Sequence, residues 1–285
     1  MSGLPIRLLV SDIDGTIVRH DKTLSDVNIA AVRRLADRGV AISLISARPM
    51  SGILWIAQAL DLAGPFGAFN GGTLFDRSGT IIGTPERIAP DSALRLLALM
   101  DQARVDVWLF ANDCWYARDA ANPHVPREIL SSGRDPILKQ DLASLCHMVD
   151  KIVGVSDDAA LLKQVEADAR LAVGSEATVA LSQPYFLDAT APLANKGDGV
   201  AAIAEAMGVP LDAIAVIGDM ANDLPMFARV GLSIAMGQAP YQVRAAAHWT
   251  TASNQEDGVA RAIERLIGER LWADKGRTDG WARRG

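Results

Sequence analysis

The fold of this chain is decided near its start, in the stretch Ile6-Arg7-Leu8-Leu9-Val10-Ser11-Asp12-Ile13-Asp14-Gly15-Thr16. Its apolar first half predicts a buried β-strand, and two carboxylates follow where that strand ends. Side chains two positions apart on a strand point the same way, so Asp12 and Asp14 would share one face. Two anions at short range repel each other, and a hard divalent cation with oxygen ligands would compensate them. Asp and Gly also favour surface turns, so this stretch alone leaves a turn and a metal site equally open.

Strands and helices alternate through the first and last parts of the chain. Apolar strands that alternate with helices are typical of a parallel sheet covered by helices on both faces. Ser25 predicts the N-terminal cap of a first helix, and Gly39 predicts its end. We expect strands at residues 6–11, 40–45, 67–70, 213–217 and 232–235, and further helices at 51–60, 196–207, 223–228, 240–246 and 258–270.

The middle of the chain follows a different pattern. Residues 73–75 and 80–83 predict a hairpin. Beyond it, helical patterns at 91–103 and 157–169 mix with short strands at 106–110, 148–154, 178–181 and 185–187. This mixture predicts a small α+β unit inserted into the first domain. The predicted organisation is a discontinuous core domain, residues 1–83 and 189–285, with an inserted domain at 84–188.

Polar side chains collect at the ends of the predicted core strands. Asp12 and Asp14 end the first strand, Ser46 follows the second, and Asp219 follows the strand at 213–217. Lys196 begins the helix that follows the insert. Ligands of open parallel sheets bind beyond the carboxyl ends of the strands. The sequence therefore predicts that these residues lie along one edge of the sheet.

Each of these residues also has an ordinary structural explanation. A serine after a strand is typical of a turn or a helix cap, and a lysine is normally a solvated surface charge. The segment Gly218-Asp219-Met220-Ala221-Asn222-Asp223 places three potential ligands in six residues, but it is also typical of a turn that caps a helix. Asn70, before two glycines, favours a turn.

Composition narrows the classes of function. The 285 residues are 49% hydrophobic and 22% charged, with a formal net charge of -6, which gives no basic footprint for nucleic acid. No apolar stretch is long enough to span a bilayer, and the first residues lack the features of a signal peptide. Cys114 and Cys146 have no metal-ligand spacing and suit a reducing compartment. We expect a cytoplasmic protein with neither a nucleic-acid nor a membrane partner; its oligomeric state stays open.

The order of the motifs resembles the haloacid dehalogenase superfamily. Asp12-Ile13-Asp14-Gly15-Thr16, Ser46-Ala47-Arg48-Pro49, Lys196 and the segment at 218–223 follow one another as they do in that superfamily. More narrowly, the chain resembles the Cof-type hydrolases of subclass IIB, which carry a C2-type cap between the second and third motifs. The segments at 235–239 and 254–259 also match that branch. The resemblance covers residues 6–267, and Ala47 departs from it because the family usually has glycine there.

The resemblance implies a fold, an activity and a division of roles. The fold would be an α/β Rossmann-like core with a parallel sheet and the inserted α+β cap. The activity would be that of a Mg²⁺-dependent phosphatase of small phosphate esters, sugar phosphates or phosphorylated cofactors. Asp12 would attack phosphorus and form an aspartyl-phosphate, and Asp14 would move protons. The metal-binding set would be Asp12, Asp14 through its backbone carbonyl, Asp219 and Asp223, and the phosphate-binding set Ser46, Lys196 and Asn222.

Two other functions remain open on the sequence alone. A phosphomutase of the same superfamily would share this core and cap, but would need a phosphorylated activator and slow hydrolysis of the aspartyl-phosphate. A non-catalytic phosphate-binding module would have no need of both a nucleophile and an acid–base group. Dehalogenation is disfavoured because dehalogenases lack the residue that corresponds to Asp14.

Overall fold

The computed structural model of the chain describes residues 5–269, which fall into two compact units. Unit 1 contains the residues up to Ile45, Ile56–Phe66 and the residues from Val200 onward. Unit 2 contains Ser46–Trp55 and Gly67–Gly199. The predicted insert at 84–188 falls inside unit 2. The bounds of the core and cap domains stay a prediction.

The described residues form short strands and medium-length helices. The strands are β1 Leu8–Ser11, β2 Ala41–Leu44, β3 Phe66–Ala68, β4 Thr73–Phe75, β5 Ile81–Ile82, β6 Asp106–Ala111, β7 Cys114–Ala117, β8 Ile137–Leu138, β9 Val149–Val155, β10 Thr178–Gln183, β11 Phe186–Thr190, β12 Ile214–Gly218, β13 Leu232–Ala235 and β14 Trp249–Thr250. The helices are α1 Asp26–Asp37, α2 Met50–Ala59, α3 Pro90–Gln102, α4 Val125–Ser132, α5 Ala159–Val173, α6 Lys196–Met207, α7 Leu224–Phe227, α8 Tyr241–Ala246 and α9 Gly258–Gly268.

Unit 1 is built on a parallel five-stranded sheet in the order β14-β13-β12-β1-β2. All four residues of the central strand β1 are buried, as its apolar sequence requires. Helix α1 begins as predicted, because the Ser25 hydroxyl accepts a hydrogen bond from the backbone N–H of Asn28 at 3.1 Å. Gly39 follows its end in the left-handed region, at φ +83°. The predicted α/β fold class with a parallel sheet is confirmed.

Unit 2 contains a six-stranded sheet in the order β10-β11-β9-β6-β7-β8. Its strands pair antiparallel, except that β7 and β8 run parallel. One face of this sheet carries buried apolar residues that form a core with α3 and α5. Sequence analysis did not identify β7, α4 or β8. Strand β8 has only two residues, both exposed, so it carries no apolar signal.

The structure alters several predicted bounds. The strand expected at 67–70 is shorter, and it pairs with β4 rather than with the parallel sheet. It gives way to a tight turn in which Asn70 has φ +59°. The helix expected at 223–228 is reduced to α7, because residues 221–223 form a 3₁₀ turn. Residue 270, the last of the helix expected at 258–270, lies outside the described residues, as do residues 271–285. None of the helices within 5–269 has both the length and the apolar character needed to cross a membrane.

Candidate active site

The carboxyl ends of β1 and β12 bring two acidic segments together. The strands pair in parallel with Ser11 opposite Ile217, so the residues that follow them emerge at the same edge. The backbone N–H of Asp12 donates to the carbonyl of Ile217 at 2.9 Å and extends this pairing by one residue. Asp12 and Asp219 therefore follow neighbouring strands of the sheet.

Three buried carboxylates meet at this edge. One oxygen each of Asp12, Asp219 and Asp223 lies within 4.8 Å of the other two. These residues are only 4%, 7% and 0% exposed. The hydroxyl of Thr16 lies 3.1 Å from Asp12 Oδ2 and 3.3 Å from Asp219 Oδ1, and its single proton can serve one of them at a time. Ionised carboxylates this close and this buried need a cation to offset their repulsion.

The loop after β12 is folded around one of these carboxylates. Asp223 Oδ2 accepts hydrogen bonds from the backbone N–H groups of Asp219, at 2.7 Å, and Met220, at 2.8 Å. A Cβ atom on Gly218 would lie 2.4 Å from Asp223 Cγ, so only glycine fits there. Asp223 thus shapes the loop and also contributes one oxygen to the carboxylate cluster.

Gly15 is required by the same close packing. It lies in the left-handed region at φ +75°, which favours glycine. A Cβ atom at this position would be 2.2 Å from Asp219 Oδ2. The glycine after Asp14 therefore leaves space for the carboxylate of Asp219, which lies about 200 residues later in the sequence.

The chemistry of this cluster fits Mg²⁺. All three donors are carboxylate oxygens, which are the ligands that a hard divalent cation prefers. Ligands at the Mg–O distance of about 2 Å lie about 3 Å apart when adjacent and about 4 Å apart when opposite, and Mg²⁺ usually keeps several waters. The candidate oxygen atoms lie within 4.8 Å of one another. The three carboxylates therefore need to move only slightly closer together to reach the spacing of Mg²⁺ ligands.

The sequence itself matches one family over nearly all of the described chain. The model of the family described as haloacid dehalogenase-like hydrolase matches residues 9–263. The chain belongs to this family.

Individual members of the family resemble the chain over almost its whole length. A Haemophilus influenzae protein, provisionally named a phosphatase, is 27% identical over 267 residues, which cover 92% of this chain and 99% of the relative. The 5-amino-6-(5-phospho-D-ribitylamino)uracil phosphatase YcsE of Bacillus subtilis is 25% identical, covering 92% and 96%. The crystal structure of a haloacid dehalogenase-like hydrolase from Bacteroides thetaiotaomicron has a TM-score of 0.83 at 27% identity, covering 92% and 99%. The predicted membership and the prediction of a haloacid dehalogenase-type enzyme are confirmed.

The structure of this hydrolase places Asp14 outside the carboxylate cluster. Its side chain is partly exposed and forms an ion pair with Lys22. Lys22 lies in a tight turn of the loop that follows β1, at φ +66°, and its backbone N–H donates to the carbonyl of Arg19. Sequence analysis missed Lys22, because nothing in the local pattern marks a lysine eight residues from an aspartate as its partner. The role of the Asp14 backbone carbonyl as a metal ligand stays a prediction.

The segment at 254–257 holds the loop that carries Asp14 and Thr16. The Asn254 amide donates to the carbonyl of Val18 at 2.9 Å, and Asp257 pairs with Arg19 at 3.0 Å. The pKa of Asp257 is lowered, chiefly by a hydrogen bond from the Ser25 side chain and further by Arg19. Residues 254–257, within the segment that matches the Cof-type branch, therefore support the loop that carries Asp14 and Thr16.

Gln238 links the acidic loops, a role that the sequence of the segment at 235–239 does not indicate. Its Nε2 donates to the carbonyl of Gly15 at 2.5 Å and lies 3.5 Å from Asp219 Oδ2. Its Oε1 accepts from the backbone N–H of Asn254 at 3.1 Å. The Gln238 side chain is thus hydrogen-bonded both to the turn after Asp14 and to the segment at 254–257.

The predicted phosphate-binding residues differ in their exposure and in the unit to which they belong. Asn222 is exposed, on the turn before α7 in unit 1. Ser46 and Lys196 belong to unit 2 and are 2% and 1% exposed. The Ser46 hydroxyl accepts from the backbone N–H of Arg48 at 3.3 Å. Lys196 is the first residue of α6 and is buried, which excludes the ordinary explanation of a solvated surface charge.

Proposed function

We propose that this hydrolase is a Mg²⁺-dependent phosphatase that acts on small phosphorylated metabolites through a phosphoryl group carried by Asp12. The observation that carries the proposal is the buried cluster of Asp12, Asp219 and Asp223, with oxygens within 4.8 Å of one another. The names of the relatives support the substrate class, since YcsE and YitU of Bacillus subtilis are phosphatases of 5-amino-6-(5-phospho-D-ribitylamino)uracil.

The first half of the reaction transfers the phosphoryl group to the enzyme. An Asp12 oxygen forms a bond to phosphorus while the bond to the leaving oxygen breaks, and Asp14 gives that oxygen its proton. Asp12, Asp219 and Asp223 would hold Mg²⁺, which supplies positive charge that lets an anionic nucleophile approach an anionic phosphate. Asp14 suits the proton transfer because its side chain lies outside the carboxylate cluster.

The second half returns the enzyme to its starting state. Asp14, now ionised, takes a proton from water while the water oxygen bonds to phosphorus and the bond to Asp12 breaks. Inorganic phosphate leaves, and Asp14 again carries the proton needed for the next substrate. The same residue thus serves as acid and then as base.

Ser46, Lys196 and Asn222 are proposed to bind the phosphoryl oxygens. The hydroxyl of Ser46 and the ammonium of Lys196 can both donate to them, and phosphoryl transfer depends mainly on such positioning and charge neutralisation. The burial of Lys196 supports this role, because a buried ammonium is stable only beside anions or other hydrogen-bond acceptors.

Release of inorganic phosphate from a panel of phosphate esters tests the proposal. We expect release with Mg²⁺, none with EDTA, and loss of activity in Asp12→Asn without a change in Tm. Asp37→Asn is the matched control, because it removes an exposed carboxylate of the same unit. Full activity in EDTA or in Asp12→Asn would contradict the mechanism. Activity that arises only after a bisphosphate is added would establish a phosphomutase instead.

A further inference from the structure

The second face of the six-stranded sheet carries a buried pair of charges. Strand alternation places Phe110 of β6, Lys151 of β9 and Asp188 of β11 on the face opposite α3 and α5. Lys151 and Asp188 are only 7% and 9% exposed. An ammonium and a carboxylate are costly to bury, and a sheet face would be more stable with apolar residues at both positions. Their presence therefore calls for an explanation beyond folding.

Lys151 is held loosely. Its Nζ lies 3.6 Å from Asp188 Oδ2, 3.4 Å from the carbonyl oxygen of Ala47, and 4.9 Å from the centre of the Phe110 ring. Both polar distances are longer than a good charge-assisted hydrogen bond. Ala47 directly follows Ser46, the proposed phosphate ligand. The ammonium of Lys151 therefore lies beside the segment that would receive the phosphate.

Several polar atoms on this face have no hydrogen-bond partner within residues 5–269. Asp188 Oδ1 is buried and accepts no hydrogen bond from any residue within 5–269. The indole N–H groups of Trp108 and Trp115, on the same face, likewise find no acceptor among those residues. Trp115 stacks on Phe110, with the two ring centroids 6.1 Å apart. Lys151 lies over the same Phe110 ring. Native structures pair nearly all buried polar atoms, so an acceptor and two donors left over on one face point to a polar ligand.

We propose that Lys151 and Asp188 select the leaving group of the substrate by binding its hydroxyl groups, so that the preferred substrates are phosphate esters of polyols or sugars. The inference rests on the proposed phosphatase function. A hydroxyl can donate to Asp188 Oδ1 and accept from Lys151 Nζ at once. A carboxylate on the leaving group would be repelled by Asp188, and an amine would be repelled by Lys151.

The test compares two esters and a double substitution. Ribitol 5-phosphate carries hydroxyls on its leaving group, and p-nitrophenyl phosphate carries none. Lys151→Met with Asp188→Leu removes both charges together, so neither is left buried and unpaired. Lys163→Met with Asp168→Leu is the matched control, since it removes one charge of each sign from the exposed side of α5.

We expect kcat/KM for ribitol 5-phosphate to fall about 10- to 100-fold in the double variant, mainly through KM, as for the loss of hydrogen bonds to charged groups. For p-nitrophenyl phosphate it should change by less than about threefold, and the control should match the wild type on both esters. Equal losses on both esters, or no loss on ribitol 5-phosphate, would overturn the inference.

A binding measurement separates this inference from the proposed function. In an Asp12→Asn background, ribitol 5-phosphate should raise Tm, and the added Lys151 and Asp188 substitutions should abolish most of that rise. Loss of the rise supports the inference whether or not the wild type turns over, and an unchanged rise refutes it. Failure of the wild-type enzyme to release phosphate from any ester would refute only the phosphatase function.

Discussion

Substitution of Gly15 by alanine tests the carboxylate cluster without replacing any charged residue. The added Cβ would lie 2.2 Å from Asp219 Oδ2, whereas ordinary contacts begin at 3.4 Å. The Asp219 carboxylate or the Gly15 turn must therefore move by about 1 Å, if ordinary contact distances are to be restored. A shift of that size is larger than the near-ideal geometry of a Mg²⁺ shell allows, and we expect Mg²⁺ affinity to fall about 10- to 100-fold.

The same substitution also strains the backbone, so a control is needed. Gly15 has φ +75°, and a residue with a side chain pays about 1–2 kcal/mol in that region, or about 2–8 °C in Tm for a chain of this size. Gly83 has φ +74° with nothing within 4 Å of its would-be Cβ. Gly83→Ala should therefore show the strain without the displaced carboxylate.

Tm measured against Mg²⁺ concentration gives the comparison. A ligand that binds only the folded state raises Tm with its concentration, so the midpoint of that rise reports Mg²⁺ affinity without turnover. Gly15→Ala should need much more Mg²⁺ than the wild type, and Gly83→Ala should need the same amount as the wild type. An unchanged Mg²⁺ requirement in Gly15→Ala would refute the reasoning, as would an equal change in both variants.

Three further substitutions have separate expected outcomes. Lys196→Ala should weaken inhibition by inorganic phosphate at least about 10-fold, as the loss of a charge-assisted hydrogen bond predicts, and an unchanged inhibition constant would count against a phosphate ligand. Asp14→Asn should lose more activity on ribitol 5-phosphate than on p-nitrophenyl phosphate, whose leaving group needs no proton, and equal losses would exclude the acid role. Asp257 has a lowered pKa because of the Ser25 hydrogen bond and Arg19, so its stabilising effect is present above the unfolded value and is lost as the pH falls through the folded value. Asp257→Asn should therefore lower Tm at pH 7, and the difference from the wild type should shrink below about pH 4; a constant difference would refute this linkage.

The parallel sheet and the acidic edge could be predicted because their signals are local. The apolar run of β1 ends at Asp12, and the run of β12 ends before Asp219, so both strand ends are visible in the sequence. The turn at Gly15 could also be predicted from the sequence. The sequence does not indicate why that position requires glycine. That reason is the approach of Asp219, which depends on packing between distant parts of the chain.

The residues that sequence analysis missed share one property. Lys22 and Gln238 act through partners that only the folded chain supplies. The burial of Lys196 could not be read from its glycine- and asparagine-rich surroundings, which are typical of an exposed turn. Lys151 offered a signal, because a charge inside an apolar strand is unusual, and that signal could have marked the second face of the sheet.

The central claim is that Asp12 carries the phosphoryl group, and trapping that group tests it most directly. The enzyme would be mixed with Mg²⁺ and p-nitrophenyl phosphate, quenched with acid during turnover, digested and examined by mass spectrometry. The account predicts one phosphoryl group on the peptide that contains Asp12 in the wild type, and none in Asp12→Asn. A phosphoryl group on another residue, or phosphate release that continues in Asp12→Asn, would contradict it.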